Sequence, residues 1–95
     1  MYVRLVTGSI ALDKLDQAIR LWRDSVAPSV KQQPGFKSAR LVVDRTTGNV
    51  VSIGLWETEA DVRGTVDWNQ AQIAKFAGLF SRPPVIAHYE VVAEV

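Results

Sequence analysis

Residues 33–61, QPGFKSARLVVDRTTGNVVSIGLWETEAD, decide the fold of this chain. Pro34 cannot continue a helix and pushes Gln33 towards extended backbone, while Gly35 accepts a positive φ, so a helix must end here and the chain must turn. From Phe36 to Asp44 the side chains alternate, with Ala39, Leu41 and Val43 on one face and Phe36, Ser38, Arg40 and Val42 on the other. Thr46-Thr47-Gly48-Asn49 is a short polar connection with a glycine. Val50 to Trp56 then return, with Val51, Ile53 and Leu55 opposite Ser52, Gly54 and Trp56. Gly54 has no side chain and leaves room for a bulky group over that point of the sheet. Thr58-Glu59-Ala60-Asp61 reads as a capping-box-like helix start.

The hairpin places the segments on either side of it. Tyr2 to Thr7 alternate as a strand, Val3, Leu5 and Thr7 against Tyr2, Arg4 and Val6, and Gly8-Ser9 interrupts it. Leu15, Ile19, Trp22, Val26 and Val30 follow at spacings of three or four, one apolar stripe on a helix from about Asp13 to Gln33. Pro28 falls inside it, removing a backbone donor and crowding the carbonyl of Asp24, so a kink or break is expected there. After Thr58 a second stripe, Val62, Val66, Asn69, Ile73, Phe76 and Phe80, predicts a helix weakened by Gly64 and divided near Asp67, ending at Arg82-Pro83-Pro84. Val85 to Val95 form the last strand, with Tyr89, Val91 and Ala93 opposite His88, Glu90, Val92 and Glu94.

The order β-α-β-β-α-β is the ferredoxin-like split pattern, an α+β fold with an antiparallel sheet and both helices on one face. The sheet face bearing Val3, Leu5, Leu41, Val43, Ile53, Leu55, Tyr89 and Val91 is continuous and apolar and is assigned to the helices. The opposite face, with Tyr2, Arg4, Val6, Arg40, Val42, Trp56, His88 and Val92, is too apolar to be simply solvated, and a second copy of the sheet is its expected cover. The 95 residues, 47% of them hydrophobic, suit a single domain spanning 1–95, and a domain this small gains from hiding further apolar area by association.

Composition excludes several classes of function. Eleven basic and ten acidic residues give a formal net charge of +1, with no basic run, which argues against a nucleic-acid or membrane-surface binder. With no cysteine and His88 as the one histidine, neither a disulfide framework nor a conventional transition-metal site is expected. No segment reaches the length of an apolar membrane span, and the N-terminus reads as a strand rather than a signal peptide, so a cytoplasmic location is expected.

The run of a first strand, a helix with Trp22 and Pro28, then QPGF, LVVD, TG and IGLWETEAD resembles the dimeric α+β barrel superfamily, specifically its antibiotic-biosynthesis-monooxygenase-like branch, from Tyr2 to Val92. The resemblance implies a homodimer whose sheets face each other, here through Arg4, Arg40, Trp56 and His88, and a pocket in each subunit between sheet and helices. It further implies a monooxygenase needing no cofactor, acting on a small aromatic phenol. The branch also holds haem-degrading enzymes, which use an asparagine near the end of strand one and a tryptophan and a histidine on helix two. Thr7 and Trp68 stand at the first two places, but helix two has no histidine, which argues against haem degradation.

Each candidate residue also has a plain packing role. Trp22 and Phe76 lie on the buried stripes and serve as core or as walls of a substrate pocket. Trp68 lies off the second stripe, at the surface or at a pocket mouth. Asn69 is a polar residue on that stripe, and its amide must bond either backbone freed by the helix interruption or a ligand. Thr7 and Tyr89 point to one side and are expected to converge with Asn69, with Tyr89, Asn69 and Trp68 orienting the substrate and holding its developing oxyanion. Arg4 and Glu90 are candidates for an ion pair across neighbouring strands, and His88 is a secondary candidate base. The alternative to an oxygenase is a non-catalytic dimer that binds a small hydrophobic molecule or serves as an accessory subunit, favoured by the shortage of titratable groups on the pocket side.

Overall fold

The computed structural model describes residues Met1–Val95. Four antiparallel strands, β1 (Tyr2–Ser9), β2 (Phe36–Val43), β3 (Asn49–Trp56) and β4 (Val85–Glu90), lie in the order β2-β3-β1-β4. The first helical region runs through a 3-10 turn at Leu12–Lys14, α1 (Leu15–Leu21), a π-helical segment at Trp22–Val26 and α2 (Ala27–Val30). The second comprises α3 (Glu59–Arg63) and α4 (Val66–Ala74). This is the expected ferredoxin-like α+β arrangement, and each boundary has a local cause.

Pro28 does not break the first helix. The Ala27 amide bonds the Trp22 carbonyl, an i to i−5 bond, so the helix widens by one residue just ahead of the proline that lacks a donor for Asp24. Gly35 closes the next turn with φ 74°, where any β-carbon would collide with the Asp61 carboxylate. In the hairpin the Asp44 carboxylate accepts from the amides of Thr46 at 2.8 Å and Thr47 at 3.3 Å, and Gly48 has φ 81°. Thr58 Oγ1 accepts from the Asp61 amide at 3.1 Å and starts α3. The interruption between α3 and α4 falls at Gly64-Thr65, where Thr65 Oγ1 donates to the Val62 carbonyl at 2.7 Å.

The register inverts the expected faces of three strands. Arg4 stands opposite Gly54 on one side and His88 on the other, Val6 opposite Ser52 and Ile86, and Leu41 opposite Ser52. The helix-covered face is therefore Tyr2, Arg4, Val6 and Gly8 with Val50, Ser52, Gly54 and Trp56, and only β2 presents its expected side, Ala39, Leu41 and Val43. Val3, Leu5, Thr7, Val51, Ile53, Leu55 and Tyr89 lie on the open face. The reason is steric. The helix side carries glycines beneath large rings, with Trp56 over Gly54 and Phe80 over Gly8, so its pattern looks less apolar than the mainly aliphatic face that no helix covers. Of the four residues expected at a dimer contact, Arg4, Trp56 and His88 belong to the helix side, and Arg40 alone is on the open face.

Two clusters fill the layer between sheet and helices. Ile10, Leu15, Ala18, Val26, Val50, Phe76 and Leu79 form the larger, and Val30, Trp56 and Val62 the smaller. The buried stripe of the second helical region is Val62, Thr65, Asn69, Gln72, Phe76 and Leu79, at spacings of three and four. Val66, expected on it, is 40% exposed. β4 ends at Glu90 rather than running to Val95, and just past it the Val91 amide donates to the Met1 carbonyl at 2.9 Å.

Candidate functional site

The site begins with the widened helix. The π-segment brings Trp22 and Val26 over the sheet, α4 brings Asn69, Gln72 and Ile73, and the chain after α4 brings Phe76 and Phe80. With Val6, Leu41, Val50 and Ser52 from the sheet they enclose a cavity of about 60 Å³, in which 13 of the 16 lining residues are hydrophobic. The three polar ones, Ser52, Asn69 and Gln72, carry no charge.

Their hydrogen bonds define what the pocket offers. Trp22 Nε1 donates to Ser52 Oγ at 3.1 Å, which holds the indole against the sheet and leaves the serine proton free to turn inward. Lys75 Nζ donates to Gln72 Oε1 at 3.2 Å and to Ser25 Oγ at 2.8 Å, tying α4 to the π-segment. With its oxygen so engaged, Gln72 presents its NH₂ group. Asn69 is 8% exposed, and its side chain makes no hydrogen bond within the chain. Its backbone amide is committed to Thr65, so the helix interruption does not use the side-chain amide. The fully buried polar side-chain atoms without a partner are Arg4 Nη1 and Trp56 Nε1, so the Asn69 amide keeps some contact with solvent, and it lines the cavity.

Of the sequence candidates, Asn69, Trp22 and Phe76 come together in this pocket. Trp68 packs at its back between the two clusters, donating from Nε1 to Ser29 Oγ at 2.6 Å. Thr7 and Tyr89 share a side, as expected, but it is the open face: Thr7 is exposed and Tyr89 is 57% exposed, so neither converges with Asn69. Gln72, Ser52 and Phe80 escaped notice as pocket residues. Gln72 was findable as a polar residue three positions from Asn69 on the same helix face.

His88 lies in a separate cluster. Arg4, only 3% exposed, donates from Nε to His88 Nε2 at 3.0 Å and from Nη2 to the Val62 carbonyl at 2.9 Å, and its guanidinium stacks over Trp56 at 5.2 Å. Glu90, expected to pair with Arg4, accepts instead from the Tyr2 hydroxyl at 3.1 Å. Arg4 Nη1 and Trp56 Nε1 are buried without acceptors. Burial lowers the Arg4 pKa, and burial, followed by the charges of Arg4 and Arg63, lowers that of His88. Neighbouring Glu59 and Glu90 push the Tyr2 phenol up to about 12. The cluster fastens α3 to the sheet: the guanidinium meets a carbonyl near the C-terminal end of a helix, a π face and a neutral imidazole.

No group of three or more His, Cys, Asp or Glu side chains is placed to hold a metal ion, and no helix is long and apolar enough to cross a membrane.

The sequence and the fold have parallels among known proteins. Two Mycobacterium tuberculosis proteins, MT2634 and Rv2557, both described as uncharacterized, are 38% identical over 56 residues, 59% of this chain. The chain spans about a quarter (25%) of their length. Among solved structures, a monooxygenase from the gene ActVA-Orf6 of Streptomyces coelicolor, in complex with the ligand nanaomycin D, superposes with a TM-score of 0.83 at 20% identity. That match covers 99% of this chain and 89% of the other. Rv0793 from Mycobacterium tuberculosis superposes with a TM-score of 0.72 at 16% identity, covering 99% and 98%. At such identities these structures establish the fold. Residues 1–72 match the family model of the antibiotic biosynthesis monooxygenases, and the chain belongs to that family.

Proposed function

We propose that this chain is a monooxygenase that acts without added cofactor on a small aromatic phenol held between sheet and helices. The observation that carries this reading is the unpartnered Asn69 amide facing an apolar cavity beside the NH₂ group of Gln72 and the hydroxyl of Ser52. Flat apolar walls suit a ring system, and neutral donors suit an oxygen that becomes negative. An ionised phenol is electron-rich enough to pass an electron to dioxygen. In the full turnover the ring loses four electrons and two hydrogens, gains one oxygen atom as a carbonyl, and releases the other as water. Asn69 and Gln72 stabilise the phenolate, Trp22 and Phe76 hold the ring in plane, and the apolar walls exclude water from intermediates. Among solved relatives of the same fold, the Streptomyces coelicolor monooxygenase binds nanaomycin D in its crystal, which supports a flat ligand here.

No titratable side chain lines the cavity, so the substrate proton must leave to solvent before or during entry. The same fact favours a second reading, a homodimer that binds a small hydrophobic molecule without turning it over. Dioxygen uptake against a panel of phenolic and anthrone-like tricycles, corrected for autoxidation, separates them. Uptake lost in Asn69→Leu supports the oxygenase, and binding without uptake supports the second reading. Either way we place a second copy on the open face through Leu5, Ile53 and Leu55 rather than through Arg4 and Trp56.

A further inference from the structure

Three donors converge on one backbone oxygen where the second helical region breaks. The Val62 carbonyl accepts from Arg4 Nη2 at 2.9 Å, from Thr65 Oγ1 at 2.7 Å and from the Thr65 amide at 3.2 Å. Thr65 is buried, and its own carbonyl takes the Asn69 amide at 2.8 Å, a bond of the first turn of α4. Of the three donors, Arg4 alone comes from outside the helical region, from the interior strand β1. The direction in which α4 leaves the break, and with it the placement of Asn69 and Gln72 on the cavity wall, is thereby tied to a buried guanidinium of the sheet.

That guanidinium has no carboxylate partner. It holds the Val62 carbonyl, the face of Trp56 and, through Nε at 3.0 Å, His88 Nε2, while Nη1 has no acceptor. Of these partners only His88 can gain a proton, and it is exposed on the edge strand β4. The charged groups about the ring are Arg4 on β1, Arg63 and Glu59 on α3, and Glu90 on β4. Both carboxylates are engaged elsewhere, Glu59 with Arg63 and Glu90 with the Tyr2 hydroxyl. A protonated imidazole cannot accept from Nε and sets a second cation against the first. The buried guanidinium would then keep a single acceptor, with Nε and Nη1 both unpaired, which burial penalises. We propose that Arg4 is a positioning residue for Asn69 and Gln72, and that His88 is the proton-operated catch that holds it, closed while the ring is neutral and released when it is charged. Burial, then Arg4 and Arg63, keeps the His88 pKa below 6.5, so the catch is closed at neutral pH and opens on acidification. As regulation of the pocket the inference rests on the reading proposed above, but the coupling itself needs no ligand.

The test is an NMR titration of the full chain, following the His88 ring and the backbone amides from about pH 8 to about pH 5. The amides of Val62, Thr65 and Asn69 are expected to shift with one midpoint, that of the His88 ring. In His88→Gln, which offers Arg4 a neutral acceptor, these shifts should vanish while the spectrum stays that of a folded chain. In Arg4→Met the ring should titrate with a midpoint moved up towards 6.5, and the three amides should no longer follow it. If Arg4→Met does not fold, His88→Gln decides alone. Amides that stay still while His88 titrates in the parent, or that still move in His88→Gln, overturn the proposal and leave the pocket reading intact. A parent that shows the coupling but neither binds nor oxidises any phenol in the panel keeps the catch and loses the pocket reading.

Discussion

At the scale of one residue, the proposed function would set Asn69 against stability. Its side chain is buried with no partner in the chain, while a leucine of similar size would add to the apolar wall. Asn69→Leu should therefore raise stability by about 1 kcal/mol in chemical denaturation and abolish phenol turnover. A destabilised Asn69→Leu would mean that the amide has a structural partner. His88 makes the opposite case. Its Nε2 accepts from Arg4, so the ring is neutral with its proton on Nδ1, and its pKa is lowered from 6.5 by burial first and then by Arg4 and Arg63. The unfolded chain binds a proton near pH 6.5, whereas the folded chain does so only at lower pH. The contribution of His88 is thus complete above that value and is lost as the pH falls below it. Thermal unfolding followed from about pH 8 to about pH 5 should show this decline, flattened in His88→Gln, which keeps an acceptor for Arg4. An unchanged slope in the variant would rule out His88 as its source.

At the scale of elements, the strands and helices were legible because their signals are local. Pro34-Gly35, Thr46-Thr47-Gly48 and Thr58 each act within a few residues of themselves, and the structure turns and starts where they stand. Thr58→Ala should cost about 1 kcal/mol by removing the acceptor of the Asp61 amide, measured by urea denaturation. A neutral result would mean that Arg4, bonded to the far end of the same helix, holds it unaided. What stayed hidden was which face of each strand meets the helices. That choice depends on rings lying over glycines, Trp56 over Gly54 within one strand and Phe80 over Gly8 from far along the chain, which alternation does not register. Gly54 does lie beneath a bulky group, and the bulk comes from its own strand two residues on. A methyl group there would collide with the Trp56 ring, and Gly54→Ala should cost about 2 kcal/mol through overpacking. The inverted faces also explain the mixed outcome for site residues. Helix periodicity points Asn69, Trp22 and Phe76 inward, and they reach the pocket, whereas strand parity alone does not tell the two sheet faces apart, and Thr7 and Tyr89 lie on the other one.

For the whole molecule, the inversion moves the expected contact between subunits from a mixed surface to an aliphatic one. Val3, Leu5, Val51, Ile53 and Leu55 line the middle of the open face, with Val42 at 44% and Tyr89 at 57% exposure towards its edges. A sheet face of this composition, left uncovered on a chain of 95 residues, is unfavourable in water, and a second copy would bury it. Arg40 lies on this face but in an edge strand, where its charge can remain hydrated at the rim of a contact. Ile53 is in β3, an interior strand, so a charge placed there has no route to solvent once a second sheet covers it. Ile53→Lys should turn a dimer into a monomer in sedimentation velocity at micromolar concentration, with far-ultraviolet circular dichroism unchanged because the side chain points away from the chain's own core. Arg40→Lys should leave the dimer intact. A parent chain that sediments as a monomer would show that the open face is solvated, and the pocket would then be complete within one copy.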